Sequence, residues 1–137
     1  SDALTGAAGN DTFVFTTAAD SLVAGFDTIS DFSATNMGTD VLKIGKTITS
    51  TNFKTKSQAG TSSGLSTDLT SALSALAFGQ SCAAMVTLTG TASDAGTYVV
   101  INNHSTSVTT TNGFLASSDT VIKVQTGAAV TAASFIV

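Results

Sequence analysis

Residues 6–44 read GAAGNDTFVFTTAADSLVAGFDTISDFSATNMGTDVLKI, and the rest of the chain is organised around them. Asp11, Asp20, Asp27, Asp31 and Asp40 stand in this stretch, and no Lys or Arg precedes Lys43. With Asp2, six of the nine acids come before the first base. Like charges at close range oppose a compact state unless a cation joins them. Between the acids lie short apolar runs, Thr12-Phe13-Val14-Phe15 and Val41-Leu42-Lys43-Ile44. Their length and side chains suit strands, so the acids fall at strand ends and in turns.

Composition narrows the class. With 137 residues and 42 % hydrophobic content, the chain can form one domain with a buried core. The mean hydropathy of +0.35 excludes a disordered tail as the whole protein. Charged residues make up 10 %, far below the usual share of about a quarter. Every acid is Asp and every base is Lys. Asp is the short, hard carboxylate of turns and oxygen-coordinated cations, and without Arg there is no phosphate fork. A net charge of −4 and a pI of 4.4 make nucleic acid a poor partner. The polar remainder is mostly Ser, Thr, Asn and Gly, a composition common in extracellular bacterial proteins. Cys82 stands alone, so no internal disulfide forms. No apolar run spans a bilayer and no signal-peptide pattern is present, so Ser1-Asp2 reads as the start of an excised piece.

Taken in order, residues 2–10 read as a glycine-bearing loop. Strands are expected at 12–15, within 26–32 and at 41–44. Residues 47–63 are polar and turn-rich, with Lys46, Lys54 and Lys56 around them, and read as a mobile loop. Residues 66–78 form the one expected helix. Leu65, Leu69, Ala72, Leu73 and Leu76 fall on one face, Ser66 or Thr67 caps the start, Asp68 suits the first turn and Gly79 the end. Strands return at 84–89, 97–101, 120–124 and 134–137, and residues 102–113 form a second polar loop. No clear internal repeat is visible. The expected core holds Phe13, Phe15, Ile29, Phe32, Leu42, Ile44, Leu69, Leu73, Leu76, Val86, Tyr98, Val100, Val121 and Ile122.

The acid string needs a positive charge, and calcium supplies it. Residues 6–14, GAAGNDTFV, fit the nine-residue pattern G-G-x-G-x-D-x-U-x, with Ala7 at the second glycine. Gly6 and Gly9 let the backbone turn tightly and aim its carbonyls at one point, Asp11 adds a carboxylate, and Phe13 points inward as the anchor. One such loop supplies only part of the oxygen shell that calcium takes. Asp20, Asp27, Asp31 and Asp40, taken singly, suit turn caps as well as they suit ligands.

The chain here resembles the C-terminal region of RTX proteins, the calcium-dependent proteins exported by bacterial type I secretion. Asp11-Thr-Phe-Val-Phe, then Asp27-Thr28-Ile29-Ser30-Asp31-Phe32, then Asp40-Val41-Leu42-Lys43-Ile44 follow the order D-T-F-V-F, D-x-I-x-D-F, D-x-I-x-L. That order is similar to the end of the roll in serralysin-type proteases and bacterial S-layer proteins. Thr97-Tyr98-Val99-Val100-Ile101-Asn102 and Ser118-Asp119-Thr120-Val121-Ile122-Lys123-Val124 resemble the S-layer version. The resemblance implies calcium at Gly6, Gly9 and Asp11, with Asp27, Asp31 and Asp40 as further ligands. It also implies a single calcium-binding domain over 1–137, with a roll-like part at 1–45 and a helix-plus-sheet part at 66–137. The expected fold is mainly β: a β-roll-like N-terminal edge continuing into a β-sandwich or roll, with one α-helix.

No catalytic motif appears. There is no G-x-S-x-G, no H-E-x-x-H and no phosphate-binding glycine loop with Lys. His104 reads as a surface residue and Cys82 as a small buried hydrophobe. The expected function is therefore a non-enzymatic, extracellular module of a secreted surface protein, folded and assembled by calcium. Its expected partners are copies of itself or a cell-surface polysaccharide, and the type I secretion machinery, which the apolar tail Ser134-Phe135-Ile136-Val137 would address. Two alternatives stand: the secretion and folding module of an exported protease or lipase, and a calcium-dependent adhesin or glycan-binding module.

Overall fold

The computed structural model describes residues 1–33, 38–61, 63–79, 81–103, 113–125 and 129–137. The strands are β1 (Ala3–Leu4), β2 (Thr12–Val14), β3 (Asp27–Ile29), β4 (Val41–Lys43), β5 (Phe53–Ala59), β6 (Ala83–Thr89), β7 (Gly96–Ile101), β8 (Thr120–Val124) and β9 (Phe135–Ile136). One α-helix, α1 (Leu65–Ser74), lies between β5 and β6. The strands form a six-stranded sheet, β1-β3-β8-β7-β6-β5, and a three-stranded sheet, β2-β4-β9.

The first four strands alternate between the two sheets. β1 and β3 pair in parallel, Ala3 to Thr28 and Leu4 to Ile29. β2 and β4 pair in parallel, Thr12 to Val41 through Val14 to Lys43. This is a β-roll of two coils. β8 and β9 add a third, parallel to β3 and β4 respectively. Between the second and third coils the chain leaves the roll to build β5, α1, β6 and β7, which widen the larger sheet. The mainly β fold, with a roll-like edge running into a sandwich and one helix, is what the sequence leads one to expect.

Period-two alternation splits the larger sheet into two buried faces. Ile29, Val99, Ile101, Ile122 and Val124 face the smaller sheet and meet Phe13, Phe15, Phe32, Leu42 and Phe135. Val86, Tyr98, Val100 and Val121 face the other way and meet Leu69, Ala72, Leu73 and Phe78. Because both faces are covered, β7 and β8 read as near-continuous apolar runs. Every expected core residue is buried except Leu76, which is half-buried.

Four local expectations are corrected. First, α1 starts at Leu65 behind Gly64, whose carbonyl takes the Thr67 and Asp68 amides, so neither Ser66 nor Thr67 is the cap. It ends at Ser74, before Gly79; tight turns through Leu76 then bring Phe78 back into the core. Second, residues 53–59 are a strand. FKTKSQA carries only one large apolar residue, because β5 is a sheet edge paired along its whole length to the β6 backbone. Lys54 and Lys56 lie on this edge, where charges discourage further pairing. Third, Ala3–Leu4 is a short strand inside the expected loop. Fourth, a repeat exists. Continuing the β2–β4 register backward puts Gly9-Asn10-Asp11 beside Gly38-Thr39-Asp40. His104 and most of the second polar loop lie outside the described residues. At that loop's ends, Asp119 accepts the Asn103 and Leu115 amides at 2.9 and 2.8 Å.

The two turns touch through glycine. Gly38 has φ +132, and a Cβ there would stand 1.5 Å from the Gly9 carbonyl oxygen. Ala7 takes φ +67, a left-handed conformation that costs an L-residue about 1–2 kcal/mol. Gly38→Ala should therefore destabilise by about 2–4 kcal/mol in urea unfolding, combining clash and strain. Gly45→Ala is the control: its φ is +63 with nothing within 4 Å, and it should cost about 1 kcal/mol. Ala7→Gly, which restores the pattern's second glycine, should stabilise by up to about 1 kcal/mol, the strain relieved less the added chain entropy. A loss of stability in Ala7→Gly would show that the alanine is not strained.

Candidate functional site

The stacked turns gather most of the acids singled out from the sequence. Turn 1, residues 5–11, joins β1 to β2; turn 2, described at residues 30–33 and 38–40, lies between β3 and β4. Tight turns leave successive amides without partners inside the turn, and these must find acceptors elsewhere. Turn 2 provides them. Asp31 accepts the Gly6 amide through Oδ1 at 3.0 Å and the Ala7 amide through Oδ2 at 2.8 Å. Asp40 accepts the Asp11 amide at 3.0 Å and the Ser33 amide at 2.8 Å. Turn 1 answers through Asn10, whose Oδ1 accepts the Thr39 amide at 2.8 Å, and through Thr5, whose hydroxyl meets that of Ser30 at 2.9 Å. The Val41 amide donates to the Asp11 carbonyl at 2.9 Å and carries the pairing into the strands.

Asp11 differs from its neighbours. Its Oδ2 is buried and has no hydrogen-bond partner. The carboxylate lies over Gly6, where a Cβ would stand 2.5 Å from Oδ2. Glycine is required at position 6 for this reason: any side chain would fill the space that the carboxylate uses. A buried carboxylate oxygen without a donor is costly unless a cation completes it.

The remaining acids lie elsewhere. Asp27 begins β3, at the end of that strand away from turn 2, and accepts the Asp2 amide at 2.6 Å. Its own amide donates to Ser21 Oγ at 2.7 Å, and that hydroxyl donates to the Val121 carbonyl. Asp20 is exposed and accepts the Thr17 amide at 2.9 Å and hydroxyl at 2.8 Å, which hold its carboxyl below the usual carboxylate range. The structure thus brings Gly6, Gly9, Asp11, Asp31 and Asp40 to one end of the roll and leaves Asp27 apart. Among the described residues, no three His, Cys, Asp or Glu side chains form a metal-binding group. A cation here would take Asp11, turn carbonyls, the spare lone pairs of Asp31 or Asp40, and water, an all-oxygen set suited to calcium. Gly38 and Asn10 are the participants that sequence reading missed. Their signal was the pair Gly9-x-Asp11 and Gly38-x-Asp40, hidden by the unequal lengths of the two turns.

The sequence profile described as Peptidase M10 serralysin C terminal matches residues 1–100, which include both turns, β1–β6, α1 and all of β7 but its last residue, Ile101. No curated protein and no solved structure matches the chain. No helix among the described residues is long and apolar enough to cross a membrane. The amide-acceptor carboxylates of the two turns, the paired glycines and the first two coils of the roll fall inside the matched span, and the chain belongs to the serralysin C-terminal family, the non-catalytic, calcium-binding RTX region of proteins secreted out of the cell by the type I route.

Proposed function

We propose that this chain is the calcium-ordered structural module of a secreted bacterial surface protein of S-layer type, and that it assembles with copies of itself. The observation that carries the calcium part is the buried Asp11 Oδ2, left without a partner where every carboxylate oxygen of the facing Asp31 and Asp40 accepts an amide. Bound calcium would supply the positive charge that residues 1–42 lack and would tie turn 1 to turn 2. Inside the cell the ion is scarce, so the acids repel and the roll stays loose enough to export. Outside it is plentiful, and binding to the folded state alone draws the chain into its fold.

Assembly is supported by how charge is spread along the larger sheet. Asp2 is exposed just before β1, at one edge, whereas Lys54 and Lys56 lie on β5, the opposite edge. Opposite charge at opposite edges suits head-to-tail contact between copies. The outer face of the smaller sheet adds an exposed row, Val14 beside Lys43 beside Ile136. The second reading, a folding and secretion module of an exported enzyme, is favoured by the protease family to which the profile belongs.

With calcium at about a hundred times its Kd, the linkage adds about 2.7 kcal/mol per site, a shift of several degrees in Tm. Asp11→Asn should shrink that shift, and Asp20→Asn should leave it intact. Equal Tm values in excess chelator and in millimolar calcium would overturn the assignment. Electron microscopy separates the two readings. Sheets or filaments in calcium that disperse in chelator and in high salt are expected of the surface protein; dispersed particles under all conditions favour the enzyme module.

A further inference from the structure

The helix side of the larger sheet carries a second acidic pair, unrelated to the turns. Asp68 sits in the first turn of α1 and is 1 % exposed; Asp94 sits in the β6–β7 turn and is 8 % exposed. Thr61, just past β5, donates its amide to Asp68 Oδ2 at 2.6 Å and its hydroxyl to Oδ1 at 2.5 Å. Asp94 receives nothing comparable. Both of its carboxylate oxygens are buried and without a hydrogen-bond partner. The end of β5 runs against them: a Cβ on Gly60 would stand 3.2 Å from Asp94 Oδ1 and 3.6 Å from the Thr89 carbonyl oxygen. Lys123 does not answer the charge directly. Its ammonium reaches toward the Ala95 carbonyl at 3.5 Å and lies 5.7 Å from the Tyr98 ring centre.

We propose that Asp68 and Asp94 hold a divalent cation of the calcium type, which clamps the start of α1 to the end of β5 and the β6–β7 turn. This goes beyond the roll and does not depend on it. The two acids act on one another's charge. Burial and then a carboxyl–carboxyl hydrogen bond with Asp68 push the Asp94 carboxyl up, while the Thr61 hydroxyl and amide hold Asp68 down. A proton shared with Asp68 would join one oxygen of each acid, and the Asp94 main-chain amide also faces its own carboxylate. A cation satisfies several at once. The donors within reach are the Asp68 and Asp94 carboxylates, the Thr61 hydroxyl and main-chain carbonyls, all hard oxygens without nitrogen or sulfur, which select calcium over zinc or copper. Water completes such shells. The three segments that meet here are otherwise joined through few polar contacts, notably the Gly60 amide to the Thr89 carbonyl at 2.8 Å.

Tyr98 makes the site directly readable. It is the only tyrosine, there is no tryptophan, and its hydroxyl donates to the Asp94 carbonyl at 2.8 Å. A terbium ion bound at Asp94 should therefore emit when tyrosine is excited, and calcium should compete that emission away. Asp94→Asn should abolish the emission and lower the calorimetric calcium stoichiometry by one ion, whereas Asp11→Asn should retain the emission. Absence of sensitised emission in the unaltered protein, or undiminished emission in Asp94→Asn, overturns the proposal. If circular dichroism shows that Asp94→Asn does not fold, the unaltered protein decides by NMR. Calcium-dependent shifts of the Gly60, Thr61 and Asp94 amides support the site; amides that respond to pH and not to calcium show a shared proton instead. A failed roll assignment would leave this result standing, because its readout is confined to the Tyr98 side of the sheet.

Discussion

Carboxylates of one turn accepting the backbone amides of the turn before it are the contact on which this structure rests. A short turn cannot satisfy its own amides, and an unsatisfied buried amide costs roughly what a lost hydrogen bond costs. Asp31 answers two neighbouring amides of turn 1, and Asp40 answers one from each turn. These contacts set the stagger between successive coils. That stagger fixes which residues of β1–β4 point inward, since a slip by one residue would turn Phe13 and Leu42 to solvent. Gly9 and Gly38 are subordinate to it: they let the turns come close enough for the carboxylates to reach.

The larger sheet inherits its position from the roll and then exceeds it. β3 and β8 belong to the coil, and β7, β6 and β5 extend the same sheet beyond it. An extension of this kind leaves one face open, and α1 covers it with Leu69, Ala72 and Leu73. The helix is held by apolar packing and by Asp68 binding back to Thr61, not by a side-chain cap at its start. Each half of the chain thus presents buried acids, and in each half one carboxylate is fully engaged while another is left short of partners.

That imbalance connects structure to task. Acids gathered early and bases late repel within the first coils, and a cation there favours the compact state. The family's secreted, non-catalytic character and the chain's content of Asp without Glu, and Lys without Arg, point the same way. Short carboxylates hold turns and hard cations closely, and longer, more flexible ones would do neither as well.

What the sequence by itself determined is the set of inward residues, the β class, the helix and the acid turns, because period and side-chain size act locally. Ile29, Phe32, Leu69 and Val121 could be assigned to the core from their neighbours alone. Only the tertiary structure decided three other things. β5 is a strand because the β6 backbone lies beside it, a reason that FKTKSQA does not contain. Gly38 answers Gly9 because two coils of unequal length are stacked in register. Asp94 meets Asp68, well apart in sequence, because a helix and a strand turn close over the same edge of the sheet. Local pattern says what a segment prefers; which backbone or charge it meets is set by pairing between distant segments, and that has no local signature.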